Sequence, residues 1–421
     1  MGMLRRLLLL FFTLGFCAEG LWSAGIPLAE YATRREALRK SLPDSVIVLW
    51  AAQPPPDIHD RNGVFQEQYF YYLSGWPEPN AALLLCSSCP DGMKEVYFLP
   101  KRNARKEIFE GHQVAPGDAD ASARTGFATV LPFDKMESTI GKALDSAANV
   151  YTLFDGHEAA LGKMTPLREW KDVRMPLNRL RVKKSEAELA LLQKAIDASI
   201  AAHFQSWQMT KPGLHEYEVA AAMQQTYMAL GCERNAYPPI VGSGPNSVVL
   251  HYSANKRRMD AGDVMVMDVA AECTMYAADI TRTVPVNGKW TPRQEQIYSM
   301  VLGAQQAAID AAKPGMMLAD LTKIAREYFN KQGNGPNGKP WGTYLTHGVS
   351  HHIGLDVHDP FDPALPLAEG AVITVEPGLY VPEENIGVRI EDMILITKDG
   401  AKLMTAALPR EPGEVERRMK H

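Results

Sequence analysis

Two apolar, strand-like segments that each carry an aspartate decide the fold: Val264-Met-Val-Met-Asp268-Val and Tyr276-Ala-Ala-Asp279-Ile-Thr. An ionised carboxylate inside a dry strand is costly unless it is paired or binds a metal. If both segments form one antiparallel hairpin, its centre lies between Cys273 and Thr274. The two aspartates then face each other, with Cβ atoms roughly 4.5–5.5 Å apart. The sequence therefore predicts a hairpin with a carboxylate pair on one face.

A second pair of segments repeats this pattern with glutamates: Ala371-Val-Ile-Thr-Val-Glu376-Pro and Val388-Arg-Ile-Glu391-Asp. A hairpin centred between Glu383 and Glu384 places these two glutamates opposite each other as well. Without cations, four neighbouring carboxylates would repel one another and some would be protonated. Two divalent ions roughly 3.5–4 Å apart would balance them. One neutral imidazole would complete the ligand set, from the cluster His347-Gly-Val-Ser-His351-His.

Composition and charge limit the possible partners. The chain has 421 residues, enough for two domains, and a formal net charge of −5 at pH 7. Positive and negative residues are interspersed, so the chain lacks the basic stripe that is typical of nucleic-acid binding. We therefore expect no nucleic-acid partner.

Residues 1–24 differ in composition from the rest of the chain. Arg5 and Arg6 precede an almost unbroken apolar run from Leu7 to Ala18, which is shorter than the roughly 20 residues that span a bilayer. A basic start, a short apolar run and small residues after it are typical of a secretory signal peptide. The alternative is a disordered or buried N-terminal helix. The first interpretation predicts a periplasmic or secreted protein, with no stable membrane insertion after signal removal.

The five cysteines allow only limited conclusions. Cys17 falls in the predicted signal. Cys86 and Cys89 lie at a predicted hairpin turn, where they could close a small disulfide in an exported protein. A zinc site there would need a second pair of Cys or His ligands. Cys232 and Cys273 are expected to be isolated, structural residues.

The chain divides into two regions. Residues 25–165 alternate short β-like runs with helical stretches, which is typical of an α/β domain and here predicts an N-terminal accessory domain. A basic, proline-containing stretch over residues 166–184 is expected to be a linker. The catalytic domain is expected over residues 185–410 and a short tail over residues 411–421.

The catalytic region contains an internal repeat. Ser185-Glu-Ala-Glu188 and Thr291-Pro-Arg-Gln294 are both capping-box starts of long helical patterns. In each half, Lys-Pro-Gly precedes a second helix, at Lys211 and at Lys313, and one acidic hairpin follows. The pattern predicts an α+β domain whose pseudo-twofold halves hold the metals between them. The alternative is a single irregular α+β domain.

These segments resemble the signatures of the pita-bread metallopeptidases, specifically the aminopeptidase P and prolidase branch. The resemblance extends over nearly all of the chain after the signal, and its strongest parts are Asp279-Ile-Thr-Arg-Thr, His347-Gly-Val-Ser-His351, Val375-Glu376-Pro-Gly-Leu-Tyr380 and Gly387-Val-Arg389-Ile-Glu391-Asp. It implies a metal-ligand set of two aspartates, one histidine and two glutamates: Asp268, Asp279, His351, Glu376 and Glu391. It also implies Mn(II), although oxygen and imidazole ligands suit Co(II) and Zn(II) too.

The resemblance implies catalytic roles for three side chains next to the metals. Glu376, a ligand beside the attacking water, would be the general base or proton shuttle. His347 would stabilise the tetrahedral intermediate. Arg389 would pair with buried carboxylates, hold the catalytic groups in position, or do both.

The resemblance also implies a substrate pocket. His251 and His358 would line it and contribute to catalysis, and Tyr380 would form part of its wall. By pattern alone, each histidine outside the ligand set could equally be an ordinary structural residue, and Tyr380 could equally belong to the core.

The leading functional interpretation is a dinuclear-metal aminopeptidase that releases the N-terminal residue from peptides with proline in second position. A prolidase restricted to Xaa-Pro dipeptides is the alternative, and Ser350 in the histidine motif favours the aminopeptidase. A metal-free binding protein or creatinase-like relative would have lost metal ligands, whereas all five are present here. We expect a homo-oligomer, either a dimer or a tetramer.

Overall fold

The computed structural model describes residues 25–53 and 65–419. The predicted signal peptide over residues 1–24 lies outside the described residues. Within the described ranges, no helix combines the length and the apolar character that crossing a membrane requires.

The N-terminal part is an α/β unit, as predicted. Its six strands form one mixed sheet in the order β4-β3-β2-β1-β5-β6. The elements are α1 (Leu28–Ser41), β1 (Ser45–Trp50), α2 (Gln68–Ser74), β2 (Ala82–Cys86), β3 (Glu95–Leu99), α3 (Ala104–Glu110), α4 (Ala121–Thr125), β4 (Thr129–Pro132), α5 (Met136–Leu144), β5 (Asn149–Thr152), α6 (His157–Met164) and β6 (Trp170–Asp172).

Alternation along the strands of this sheet supplies two apolar faces. Ile47 and Leu49 of β1 belong to the large core that continues into the catalytic region. Val46 and Val48 belong to a separate cluster that includes Ile140 of α5. Because successive side chains of a strand point to opposite faces, one face of the sheet forms the core of the N-terminal unit. The other face packs into the core that continues into the catalytic region.

Residues 166–184, which were expected to be a linker, contain regular structure. β6 is the edge strand of the N-terminal sheet, and α7 (Arg174–Arg181) follows it. The buried Arg181 guanidinium lies 2.6 Å from carboxylate oxygens of both Asp356 and Asp359 in the catalytic region. The stretch therefore joins the two units through packed elements rather than through free chain. The boundaries of the domains themselves stay a prediction.

The catalytic region is an α+β unit with small sheets between helices. Its elements are α8 (Glu186–Met209), α9 (Glu216–Ala229), β7 (Arg234–Asn235), β8 (Ile240–Ser243), β9 (Val264–Asp268), β10 (Ala271–Cys273), β11 (Tyr276–Ala277), β12 (Thr281–Pro285), α10 (Pro292–Ala311), α11 (Leu318–Asn330), β13 (Val372–Val375), β14 (Gly378–Val381), β15 (Ile386–Arg389), β16 (Asp392–Thr397), β17 (Gly400–Leu403) and α12 (Pro412–Arg418). The predicted tail thus contains α12, whose Val415 is buried.

The predicted internal repeat is confirmed. Reciprocal capping boxes at Ser185 and Thr291 start α8 and α10. α8 packs against α9, and α10 packs against α11. Each helix pair precedes one acidic hairpin: β9 pairs with β12 in the first half, and β13 pairs with β16 in the second. The two halves therefore bring four carboxylates together from corresponding hairpins.

The cysteines are paired more fully than predicted. Cys86 and Cys89 form the expected short disulfide. Cys232 and Cys273 also form a disulfide, so the expectation that they are isolated is wrong. β7 begins two residues after Cys232 and pairs with β10, which ends at Cys273. The bond therefore ties the turn after α9 to the hairpin that carries Asp268 and Asp279.

Candidate metal centre and active site

The first hairpin places its two aspartates on one face, but not directly opposite each other. Asp268 pairs with Thr281. The turn is formed by Thr274 and Met275, which both have positive φ, 53° and 71°. The predicted hairpin centre is therefore wrong by one position. Asp279 lies two residues from Thr281, and because side chains two apart share a face of a strand, it still points toward the side of Asp268.

The second hairpin has the predicted register. The ladder pairs on either side of the two glutamates are Val375 with Asp392 and Gly378 with Arg389. Both pairs belong to the same register, so Glu376 faces Glu391 directly across the hairpin. The Gln305 amide of α10 donates to the carbonyls of Val375 and Ile390 at 3.0 Å each, which fills the break between the ladders. The expected glutamate pair is confirmed in its geometry.

The five predicted ligands converge at the meeting point of the hairpins. Atoms of Asp279, His351 and Glu391 that can bind a metal all lie within 4.8 Å of one another. The His351 Nε2 atom lies 3.4 Å from Asp279 Oδ2 and 3.4 Å from Glu376 Oε1. The other ring nitrogen, Nδ1, donates to the His352 carbonyl at 3.0 Å. That bond leaves Nε2 as the ring nitrogen directed at the carboxylates, which is the arrangement usual for a metal-binding histidine.

The electrostatics of the cluster favour added positive charge. Burial raises the pKa of Glu376 to about 7, with His351 opposing and Asp279 adding to the shift. Burial and the neighbouring carboxylates raise the pKa of Glu391 well above its ordinary value. Burial lowers the pKa of His351, but the adjacent Asp279 and Glu376 outweigh it and raise that pKa to about 9. Burial and the neighbouring carboxylates both disfavour the ionised glutamates, and added positive charge would stabilise them.

Arg389 is buried and organises three parts of the site. Its Nη2 donates to Asp268 Oδ2 at 2.6 Å, and its Nε donates to Thr281 Oγ1 at 3.1 Å. Thr281 in turn donates to Glu391 Oε2 at 2.7 Å. Its Nη1 donates to the Tyr380 hydroxyl at 2.9 Å. Arg389 therefore both pairs with a carboxylate and holds other site residues in position.

The residues present fit divalent metal ions. The donor set consists of carboxylate oxygens and one imidazole, without thiolate, and such ligands suit Mn, Co or Zn. One oxygen of Asp268, Oδ1, is buried and has no hydrogen-bond partner within the described ranges. An unpaired buried carboxylate oxygen costs free energy, and a metal ion would remove that cost.

His347 is held by two hydrogen bonds. Its Nδ1 donates to the Gly348 carbonyl at 2.7 Å, so Nε2, 2.9 Å from the Tyr380 hydroxyl, accepts. Burial lowers the pKa of His347 to about 4, which keeps the ring neutral. Both ring nitrogens are thus used in this arrangement, and the predicted role in stabilising the tetrahedral intermediate stays a prediction.

A cavity of about 660 Å³ opens onto the cluster. His251 and His358 line it, as predicted, and His358 lies close to the metal-ligand histidine, with 4.1 Å between the ring centroids of His358 and His351. Tyr380 was expected in the pocket wall, but it is not among the described residues that line this cavity. It connects Arg389 to His347 instead.

One residue of the cavity wall was missed by sequence reasoning. Tyr237 lines the cavity, and burial followed by the charges of Asp268, Asp279 and Glu391 raises its pKa well above the ordinary value. Its hydroxyl lies near the Asp268 carboxylate but forms no hydrogen bond of ordinary geometry within the part of the chain that the structure describes. The sequence signal was weak, because a tyrosine before Pro238 and Pro239 is typical of an ordinary loop.

Comparisons with known families agree with this geometry. The model of metallopeptidase family M24 matches residues 190–398, and the model of the aminopeptidase P N-terminal domain matches residues 31–151. The chain belongs to metallopeptidase family M24. As a member of M24, it is a metal-dependent peptidase and not the metal-free relative considered from the sequence.

Similarity to individual M24 proteins extends over almost the whole chain. The chain is 33% identical to a Xaa-Pro aminopeptidase of Haemophilus influenzae, over 94% of this chain and 99% of that protein. It resembles the structure of Escherichia coli aminopeptidase P with the inhibitor Pro-Leu, with a TM-score of 0.83, 30% identity and coverage of 94% and 99%. A Xaa-Pro dipeptidase of Pyrococcus furiosus is 37% identical, but over only 57% of this chain and 67% of that protein.

Proposed function

We propose that this M24 peptidase is an Xaa-Pro aminopeptidase that works with two divalent ions, Mn(II) before Co(II) or Zn(II). The observation that carries the proposal is the convergence of five potential ligands from two structurally repeated hairpins. The residues that would hold the ions are Asp268, Asp279, His351, Glu376 and Glu391. Bound divalent ions supply Lewis acidity, which lowers the pKa of water and polarises a carbonyl.

The chain's own residues would move protons and hold the substrate. Glu376, which would lie beside the attacking water, would accept a proton from that water and return it to the leaving amine. The carboxylates near it would attract the free N-terminal amine of a peptide. His251 and His358 line the cavity, where they would contact the residues on either side of the scissile bond.

The prolidase alternative has less support from the cavity. A dipeptide ends in a free carboxylate next to its proline, and binding it calls for a cation that is not otherwise engaged. Among the described residues that line the cavity, the only Lys or Arg is Arg389, and its guanidinium already binds Asp268, Tyr380 and Thr281. This arrangement favours peptides that continue beyond proline.

The expected substrate preference follows from the chemistry of proline. Proline has φ fixed near −65° and no N–H, so a wall shaped for it need not accept an amide hydrogen bond. An alanine in second position would bury an unpaired N–H at a cost of about 1–3 kcal/mol, or roughly tenfold to over a hundredfold in kcat/KM.

Hydrolysis of Xaa-Pro-Xaa, Xaa-Ala-Xaa and Xaa-Pro peptides by the Mn(II)-loaded protein tests this preference. We expect the first peptide to have the highest kcat/KM and the second to fall within the range given above. Equal rates on the two tripeptides would discard the proline pocket. Cleavage restricted to the dipeptide would make the protein a prolidase.

We also propose that the protein is exported and loses residues 1–24. The support is the sequence pattern of Arg5, Arg6 and the apolar run from Leu7 to Ala18, which is typical of a signal peptide. N-terminal sequencing of the protein from its native host is expected to begin after Ala18. An intact Met1 in a cytoplasmic fraction would refute export. The expected dimer or tetramer stays a prediction.

A further inference from the structure

A buried carboxylate outside the metal cluster holds the segment that carries His251. Glu216 is the first residue of α9, and its side chain is fully buried. Its Oε1 accepts hydrogen bonds from the Ser243 backbone N at 2.8 Å, from Ser243 Oγ at 2.7 Å and from Asn246 Nδ2 at 3.1 Å. Its Oε2 accepts from the Tyr252 hydroxyl at 2.8 Å and from the Arg257 backbone N at 2.9 Å.

These donors come from both ends of one segment, residues 243–257, which we term the pocket loop. The pocket loop lines the cavity through Leu250, His251 and Ser253. Because a buried carboxylate is costly without partners, all five donors and the carboxylate stabilise one another. The carboxylate therefore fixes the two ends of the loop relative to α9.

A second contact fixes the side of the pocket loop that faces the metal hairpins. The Gly387 N–H of β15 donates to Ser247 Oγ at 2.8 Å. A Cβ at Gly387 would lie 1.9 Å from the Ser247 carbonyl oxygen, so the two backbones touch and no larger residue fits there. The pocket loop is therefore held between α9 and the strand that ends at Arg389.

His251 itself has little support of its own. It is exposed, as is Val249, which is 51% exposed, and no hydrogen bond to the His251 ring is found within the described ranges. The nearest fixed point is the adjacent residue, Tyr252, through its bond to Glu216. The position of the His251 ring in the cavity thus depends on the Glu216 carboxylate.

We propose that Glu216 is a positioning residue for peptide hydrolysis, which acts by holding the pocket loop so that His251 meets the substrate. The proposal rests on the proposed function. Glu216 touches neither the metal ligands nor the cavity, so its effect on the reaction passes through Tyr252 and His251.

A double-mutant cycle on Mn(II)-loaded protein tests this inference with an Xaa-Pro-Xaa peptide. Glu216→Gln keeps the shape of the side chain, but its amide can accept from only part of the donor set. We expect Glu216→Gln to lower kcat/KM about tenfold to a hundredfold, by analogy with displaced positioning groups, while metal content stays at the wild-type level. In a His251→Ala background, the same substitution is expected to change kcat/KM by less than about twofold, because coupled residues are not additive.

Two further variants keep the test decisive. Tyr252→Phe removes one hydroxyl from the set and is expected to give a smaller loss, which again disappears in the His251→Ala background. If Glu216→Gln does not fold, Tyr252→Phe tests the positioning role in its place. Glu218→Gln is the matched control, since Glu218 lies in the same helical turn and, among the described residues, its carboxylate bonds to His215 at the start of its own helix. We expect the control to keep wild-type kcat/KM.

Three outcomes would overturn the inference. One is a loss of equal size with and without the His251 side chain, which marks a purely structural role. Another is wild-type kcat/KM in both Glu216→Gln and Tyr252→Phe. The third is wild-type activity in His251→Ala. If the wild-type protein does not cleave the peptide at all, the proposed function fails first and separately.

Discussion

Replacement of Asp279 by alanine is expected to abolish peptide hydrolysis. Ligand atoms of Asp279, His351 and Glu391 lie within 4.8 Å of one another, so the substitution is expected to remove a metal ligand. We expect kcat/KM to fall by about a thousandfold or more, which corresponds to about 4 kcal/mol of transition-state stabilisation. The bound metal, measured by elemental analysis, is expected to fall with it.

Asp310→Ala is the matched control for this prediction. Asp310 is an exposed aspartate of α10. Its side chain accepts a hydrogen bond from Gln306 of the same helix, and it is not one of the predicted metal ligands. The control is expected to keep both activity and metal. If Asp279→Ala retained wild-type turnover, Asp279 could not be a ligand of the catalytic ions.

The glutamate hairpin shows what the sequence can predict about this site. The predicted centre of this hairpin, between Glu383 and Glu384, is the midpoint between Glu376 and Glu391. The observed ladders have the register that this centre requires. The sequence also predicts the capping boxes at Ser185 and Thr291, because a capping box depends only on residues three apart. Local patterns therefore predicted the repeat, its helices and one of the two carboxylate pairs.

The aspartate hairpin shows where local patterns fail. Its turn is formed by Thr274 and Met275 at positive φ, whereas such turns usually carry Asn or Gly. Without that signal, the centre could be placed only by assuming that Asp268 and Asp279 face each other. The assumption placed the centre one residue too early, so the predicted partner of Asp268 is two residues away from the observed one, Thr281. The shared face survived because the side-chain period of a strand is two.

Contacts between distant segments were not predictable from spacing. The link from Arg389 through Tyr380 to His347 joins separate elements, and the sequence leaves Tyr380 either in the pocket wall or in the core. The disulfide between Cys232 and Cys273 closes across 41 residues. The sequence does not single out Glu216, since only the folded chain brings Ser243, Tyr252 and Arg257 to it.

Removal and replacement of metal is the second prediction with a large expected effect. Four carboxylates and one imidazole converge here, and burial together with the neighbouring carboxylates raises the pKa of Glu376 and of Glu391. Because the proposed reaction needs Lewis acidity, exhaustively chelated protein is expected to show no hydrolysis of an Xaa-Pro-Xaa peptide. Mn(II) or Co(II) is expected to restore it.

Titration of the metal-free protein with Mn(II) tests the account most directly, with bound ions counted by native mass spectrometry and hydrolysis measured at each point. We predict no activity without metal and a rise to full activity at two ions per chain. Full activity in protein that elemental analysis shows to be metal-free would contradict the metal centre itself. A maximum already reached at one ion per chain would contradict the two-ion site.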